Sequence, residues 1–419
     1  MGGTGPGRSA APVFQGSVGV QHNPRLDRLG DYAFTKLADL LAPEPPRANA
    51  TPIMMSVGDP QHSPPHFVER VIAENAHLWN RYPPMVGTPG YRAAVADWLA
   101  RRYRLPAGML SAERHILPVA GTKEGLFLIG QIAVPETKAG QPPLVLVPNP
   151  YYVVYSGGGV MGGADIHYLD ATAATGFLPD LEAIPEAVLA RTAIFYLCSP
   201  SNPQGAVASL DYLKRALTLA RAHDFLLVVD ECYAEIYDKL PPAGGLEAAA
   251  ALGDDFANVV VFHSLSKRSS AAGLRIGFIA GDAEVIRRFA TLRSYGGCQI
   301  PLPIQEAGTA LWREEDHVTE NRALYRSKFD VAERILRGKF GFYRPPGGFF
   351  LWLDVGDGER ACLKLWREAA VRTLPGGYLA RVNAAGVNPA ERYIRIALVH
   401  DDATVAEGLE RLVRVLEAG

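Results

Sequence analysis

The chain has 419 residues, 48% of them hydrophobic and 21% charged, a balance ordinary for globular proteins and long enough for two or three domains. Lys plus Arg number 42 and Asp plus Glu 44, so a net charge of −2 provides no electrostatic footprint for nucleic acid or an anionic lipid surface. No apolar run approaches the ~18 residues of a membrane-spanning helix, and four cysteines without CxxC spacing (Cys198, Cys232, Cys298, Cys362) point to reduced thiols and a cytoplasmic setting.

Residues 1–22 are rich in Gly, Pro and Ala and carry neither the basic nor the apolar region of a secretion signal, so a flexible arm or an expression remnant is expected there. Beyond them, short apolar runs end abruptly in polar or glycine-rich turns: "HILPVAGTKEG", "PLVLVPNPYY", "AIFYLCSPSNPQG", "FLLVVDECYAEIY" and "NVVVFHSLSK". Continuous hydrophobicity is what strands covered on both faces require. Between the runs lie helical stretches such as "LDYLKRALTLARAHD", with apolar residues every three or four positions. The alternation predicts an α/β fold, a mostly parallel sheet flanked by helices, over residues 60–300. After "GGCQIPLPIQ" the texture changes to long amphipathic helices, a hairpin-like portion at "FGFYRPPGGFFLWLDV", the strand "RYIRIALVH" and a closing helix. Residues 23–59 and 301–419 are therefore expected to form a smaller α+β domain from both chain ends.

Ligands of such sheets sit beyond the carboxyl ends of the strands, where Gly121, Asn149, Asn202, Asp230, Ser264 and Lys267 all fall. Asp230, closing "FLLVVD", is either a helix cap or a buried acid that needs a positive partner such as a protonated pyridine nitrogen. Tyr233 follows three positions on. "SPSNPQG" is a turn former whose Asn202 can donate to a phenolate-like oxygen. In "AGTKEG", strand, turn and helix start would present the backbone N–H groups of Gly121, Thr122 and Lys123 to an anion. Ser264, Ser266 and Arg275 surround Lys267 with hydroxyls and a forked cation, a cradle for a phosphate dianion. A lysine between phosphate-binding groups, an acid and a phenol suits an aldehyde cofactor held as a Schiff base, namely pyridoxal 5′-phosphate.

These segments resemble the fold-type I pyridoxal-phosphate aminotransferases of class I/II, from about Asn23 to the carboxyl terminus. "SLSKRSSAAGLRIGF", "CSPSNPQG", "DECYAEIY" and "YIRIAL" stand in that family's order and spacing. The resemblance implies that Lys267 forms the Schiff base, that Asp230 pairs with the pyridine nitrogen, and that Asn202 and Tyr233 bond the ring's 3′ oxygen. It implies that Tyr152 stacks on the ring with Cys232 beneath the opposite face. Gly121, Thr122, Lys123, Ser264, Ser266 and Arg275 would hold the phosphate, together with Tyr82 from a neighbouring subunit of a homodimer with shared sites. Arg395 would clamp the substrate's α-carboxylate, with Gly58 lining the same pocket. No metal is implied.

A narrower resemblance is to the succinyldiaminopimelate aminotransferases of lysine biosynthesis. It is carried by "NPRLDRLGDYAFTKLADLL", "GTPGYRAAVADWLARRY", "LPVAGTKEGLF" and "LPGGYLARVNAAGVNP". It implies ping-pong amino transfer between N-succinyl-LL-2,6-diaminopimelate and 2-oxoglutarate, with Arg381, Tyr295 and Gln299 as candidates for the remote carboxylates. Two departures stand out: Gln204 replaces a usual threonine, and the customary proline before Gly273 is absent. The alternatives are an aminotransferase of aspartate, alanine, aromatic amino acids or LL-diaminopimelate, or a β-lyase on the same fold. Other classes are poorer. "GGGVMG" at 157–162 formally fits GxGxxG but lacks the strand-turn-helix context of a dinucleotide site, so its glycines are expected to pack a helix on the sheet. His62 and His66 in "HSPPH" lack the HExxH arrangement of a zinc hydrolase. A regulator on this fold would need a DNA-binding domain, which 22 residues cannot supply.

Overall fold

In the computed structural model, residues 20–253 and 255–418 are described. Residues 1–19 of the expected arm lie outside them, and 20–22 are exposed without regular structure. In chain order the strands are β1 (Ile53–Met54), β2 (Ile116–Val119), β3 (Leu144–Asn149), β4 (Asp165–Asp170), β5 (Thr192–Cys198) and β6 (Leu226–Asp230). They continue with β7 (Val259–Ser264), β8 (Gly277–Gly281), β9 (Phe350–Asp354), β10 (Val371–Arg372), β11 (Leu374–Pro375) and β12 (Tyr393–Ala397).

Seven of these form one sheet in the order β2-β8-β7-β6-β5-β3-β4, all parallel except β8, which is antiparallel to both neighbours. Every residue of β5, β6 and β7 is buried, which is why these strands read as unbroken apolar runs. Side chains alternate between two cores. Leu227, Val229 and Val261 join Trp98 and Trp312 on one face, while Val228, Val260 and Phe262 join Tyr155 and Tyr196 on the other. The 157–162 glycines lie inside the helix Val153–Gly162, not at a phosphate-binding turn. A methyl group on Gly130 would come within 2.1 Å of the Gly158 carbonyl oxygen, and one on Gly159 within 3.1 Å of Val145. The run lets this helix press against the helix Thr122–Ala133 and the sheet.

A smaller unit is built around the antiparallel order β11-β12-β9 and the parallel pair β1-β10, so both chain ends enter it. Met55, Phe329, Leu365, Ile394 and Leu409 fill its core beneath the helices Asp316–Leu336, Gly358–Ala369 and Asp402–Glu417. The helix Leu302–Arg313 belongs elsewhere: its Ala307, Leu311 and Trp312 lie in the Trp98 core, and Trp312 Nε1 donates to Tyr91 Oη at 3.1 Å. We therefore propose that the smaller unit begins after Arg313 rather than at 301. The hairpin expected at 340–355 does not form. Pro345, Pro346 and two glycines follow Arg344, removing ladder donors and bending the chain (Gly348 φ +78°), and β9 pairs with β12 instead.

Candidate active site

A cleft of about 360 Å³ opens beyond the carboxyl ends of β5, β6 and β7, beside the point where the strand order reverses between β3 and β5. Its walls come from both units: Tyr152, Asn202, Asp230 and Lys267 from the large one, Gly58 and Arg395 from the small one. Asp230 ends β6 and is buried. Its Oδ2 accepts from Tyr155 Oη at 2.8 Å and its Oδ1 from the Cys232 N–H at 3.2 Å. Among the described residues no cation stands within ion-pair distance of it, and burial pushes its carboxyl above the usual range despite those donors. The site presents a desolvated acid awaiting a positive partner.

Lys267 lies in the short helix Leu265–Arg268 just past β7, which aims it across the cleft at the opposite unit. Its Nζ donates to the Gly58 carbonyl at 2.6 Å and sits 5.4 Å from the centre of the Phe349 ring. Burial lowers the amine's pKa; Cys232 and Asp59 oppose this, and the cations of Arg395 and Arg275 add to it. Ser264 and Ser266 bracket the lysine with their hydroxyls 2.9 Å apart. Arg275, in a left-handed conformation (φ 53°), spends two nitrogens on the carbonyls of Ala272 and Ala120 at 3.0 and 3.3 Å. Gly121 is favoured there by its left-handed backbone (φ +82°), and a Cβ would also crowd Arg275 Nη2 at 2.2 Å. One expectation needs correction. The Gly121 N–H is not available to an anion, since it donates to Val119 O at 2.7 Å, and the free donors begin with Thr122 and Lys123 at the helix start.

Arg395 points from the middle of β12 into the cleft, buried on all sides. Its Nη1 donates to Asn202 Oδ1 at 2.9 Å, its Nη2 to Ser56 O at 2.8 Å, and its guanidinium lies 4.3 Å from the Phe350 ring centre. Its Nε has no partner and, among the described residues, no carboxylate pairs with it. Burial lowers its pKa to about 10. Because arginine can only donate, Asn202 must turn its oxygen to it and offer its amide NH₂ to the cleft. Tyr233 is buried against Phe349 and Phe350 at ring distances of 5.3 and 5.9 Å, and burial raises its phenol well above the usual value.

Tyr152, Cys232, Thr122, Lys123, Ser264, Ser266 and Arg275 all line the same cleft, as does Arg381. Tyr82 does not; it is 100% exposed. Tyr295 is also out on the surface, and Gln299 is not part of the cleft wall. Sequence reasoning passed over Tyr155, which holds Asp230 and stacks on Tyr196 at 4.9 Å. Its only signal was the spacing in "NPYYVVY", three positions after Tyr152, which places both at one end of a helix face. Among the described residues no group of three or more His, Cys, Asp or Glu side chains is arranged to hold a metal ion, and His62 instead meets Asn321 at 3.1 Å.

Residues 50–412 match the family described as aminotransferase class I and II. The chain belongs to that family. It is 32% identical over 408 residues to the LL-diaminopimelate aminotransferase of Moorella thermoacetica, covering 95% of this chain and 99% of that one. A solved aminotransferase from Neisseria meningitidis Z2491 is 38% identical with a TM-score of 0.89, over 94% of this chain and 99% of the other. The aminotransferase AspB of Helicobacter pylori 26695 is 32% identical with a TM-score of 0.85, over 93% and 99%. The family depends on pyridoxal phosphate, and the charges of the cleft fit that group. An uncompensated buried acid suits a protonated ring nitrogen. The Arg275 fork, two hydroxyls and the bare start of the helix Thr122–Ala133 suit a phosphate, and a buried amine of lowered pKa suits an aldehyde.

Proposed function

We propose that this aminotransferase moves the amino group between N-succinyl-LL-2,6-diaminopimelate and 2-oxoglutarate in lysine biosynthesis, acting as a homodimer in which Tyr82 reaches the neighbouring subunit's site. The observation carrying the amino-acid reading is the buried, acid-free Arg395 within the same cleft as Lys267. When bound, the cofactor supplies a carbonyl that condenses with amines and a ring that takes up the electron pair of a broken Cα–H bond. The protein's own residues set the rest. Asp230 keeps negative charge at the cleft floor, held in orientation by Tyr155. Arg395 grips the α-carboxylate bidentately and so fixes which bond of Cα stands upright to Tyr152 and the cleft floor. Lys267, neutral at a lower pH than an exposed lysine, takes and returns the Cα proton as general base and acid. Asn202 and Tyr233 donate to the oxygen that faces them.

The succinylated substrate is supported by the likeness of 374–389, ahead of 392–400, to that subgroup and by the extension of the cleft past Tyr378 and Leu379 to Arg381. Free LL-diaminopimelate is the second reading. The name of the 32% identical relative favours it, as do Asp31 and Asp59 at the cleft wall, which suit a remote ammonium. A half-reaction screen separates them. Cofactor-loaded enzyme is mixed with succinyldiaminopimelate, LL-diaminopimelate, aspartate or alanine, and loss of the visible absorption of the loaded form is followed. The fastest conversion is expected with the succinylated donor; a preference for free diaminopimelate, aspartate or alanine would overturn that assignment.

A further inference from the structure

Arg381 is the second arginine of the cleft wall, and the way it is held is unlike a surface cation. Its backbone is clamped from both sides by one fully buried side chain. Asn149 Nδ2 donates to Arg381 O, and Asn149 Oδ1 accepts from the Arg381 N–H, each at 2.9 Å. The same Nδ2 also reaches Asp170 Oδ1 at 2.9 Å, while Asn383 Nδ2 donates to Asp170 Oδ2 at 2.7 Å. Next door, the Tyr151 N–H donates to Leu379 O at 2.9 Å. Residues 379–383 of the smaller unit are thus tied to the carboxyl ends of β3 and β4.

The guanidinium itself is nearly unspent. Its one hydrogen bond runs from Nη1 to the carbonyl of its own neighbour, Ala380, at 3.2 Å, and its charge lies 5.7 Å from the Tyr151 ring centre. Gly30 leaves it room: a Cβ there would stand 2.3 Å from Nη2. Among the described residues it pairs with no carboxylate. A half-buried cation with a fixed backbone, an aromatic wall and free donors is prepared for an anion that the protein does not provide.

Resting on the aminotransferase reading of the cleft, we propose that Arg381 is the specificity residue that receives the remote carboxylate of an amino dicarboxylate, with Asn149 as its positioning residue. Two arginines, one deep and one nearer the opening, each without an acid of its own, then match the two ends of one substrate.

The test compares donors with and without a second carboxylate. Half-reaction kinetics of the loaded wild type, Arg381→Gln and Arg381→Lys are measured with succinyldiaminopimelate, glutamate and alanine, together with inhibition by glutarate. Arg381→Gln is expected to raise KM for both donors with a remote carboxylate, and the inhibition constant of glutarate, by about 10- to 100-fold, the range for losing a charged hydrogen bond. kcat and the kinetics with alanine should hardly move, and Arg381→Lys should recover part of the loss. An equal fall with alanine, or no change with the donors that carry a remote carboxylate, would overturn the proposal while leaving the aminotransferase reading intact. A wild type that reacts with alanine but with no donor carrying a second carboxylate would overturn the proposal alone, and one that reacts with no amino donor at all would overturn both.

Discussion

Each of the three central side chains is in a state that is costly away from water: Asp230 buried without a cation, Arg395 buried without an anion, Lys267 with its basicity lowered by burial. Replacing Lys267 by Ala should remove the visible absorption of the loaded enzyme and cut turnover by at least ~10³-fold, within the range for a lost general base; the spectrum and steady-state rates check both. The sign of the Lys267 perturbation gives a second test. Burial lowers the amine first, and Arg395 is among the cations that lower it further. Arg395→Gln should therefore raise the amine's pKa, moving the onset of amine labelling in the cofactor-free protein to higher pH. An unmoved labelling profile would separate the two residues. Tyr155→Phe should weaken cofactor retention by about tenfold, as expected for losing one hydrogen bond to a charged group, measured by dialysis against competing buffer. Much of this was legible from residue types and spacing, since Lys267, Asp230 and Arg275 each follow a strand or turn visible in the sequence. Tyr155 was not, because a tyrosine at helical spacing gives the same pattern whether it fills a core or steadies an acid.

Among the elements, the helix Asp316–Leu336 carries a buried cation. Its Lys328 is 1% exposed, hydrogen-bonds Val399 O at 3.3 Å and lies 2.5 Å from His62 Nε2. Burial lowers its pKa from 10.5 to about 8, with Asp402 and Asp401 only partly opposing. The unfolded chain therefore binds more protons than the folded one between those values, so folding stability from this group rises as pH climbs from about 8 toward 10.5. Below pH 8 the whole cost is present, about 3 kcal/mol at 1.36 kcal/mol per pKa unit. Lys328→Met should remove most of that cost at pH 7 and flatten the alkaline rise, read as urea midpoints across pH. A variant less stable than the parent at pH 7 would contradict it. The sequence showed this helix plainly through its apolar spacing, but nothing in that spacing marks Lys328 as buried. What hides it is distant chain brought over the same face, Val399 from beyond β12 and His62 from the loop after β1, which no local pattern records.

At the level of the molecule, unbroken apolar strands alternating with helices announced the parallel sheet, and the reversal of β8 was invisible because β8 too is apolar along its whole length. The expected hairpin failed for a related reason: the partner of β9 lies about 40 residues away in β12, and antiparallel pairing at that range leaves no turn signal. The boundary at 301 came from a change in texture, whereas Trp312 shows which core the next helix fills. The exposed Tyr82 belongs to this scale as well. If it completes the other subunit's site, inactive Lys267→Ala and Tyr82→Ala chains refolded together should regain about a quarter of wild-type turnover, since half the dimers are mixed and each holds one intact site. No gain over the parents would refute shared sites. The arrangement that everything else depends on is one amine facing one acid across the cleft. Borohydride reduction of the loaded protein, followed by peptide mapping, tests it most directly. A single pyridoxyl group on Lys267 is predicted; a group on any other lysine, or none at all, would contradict the account.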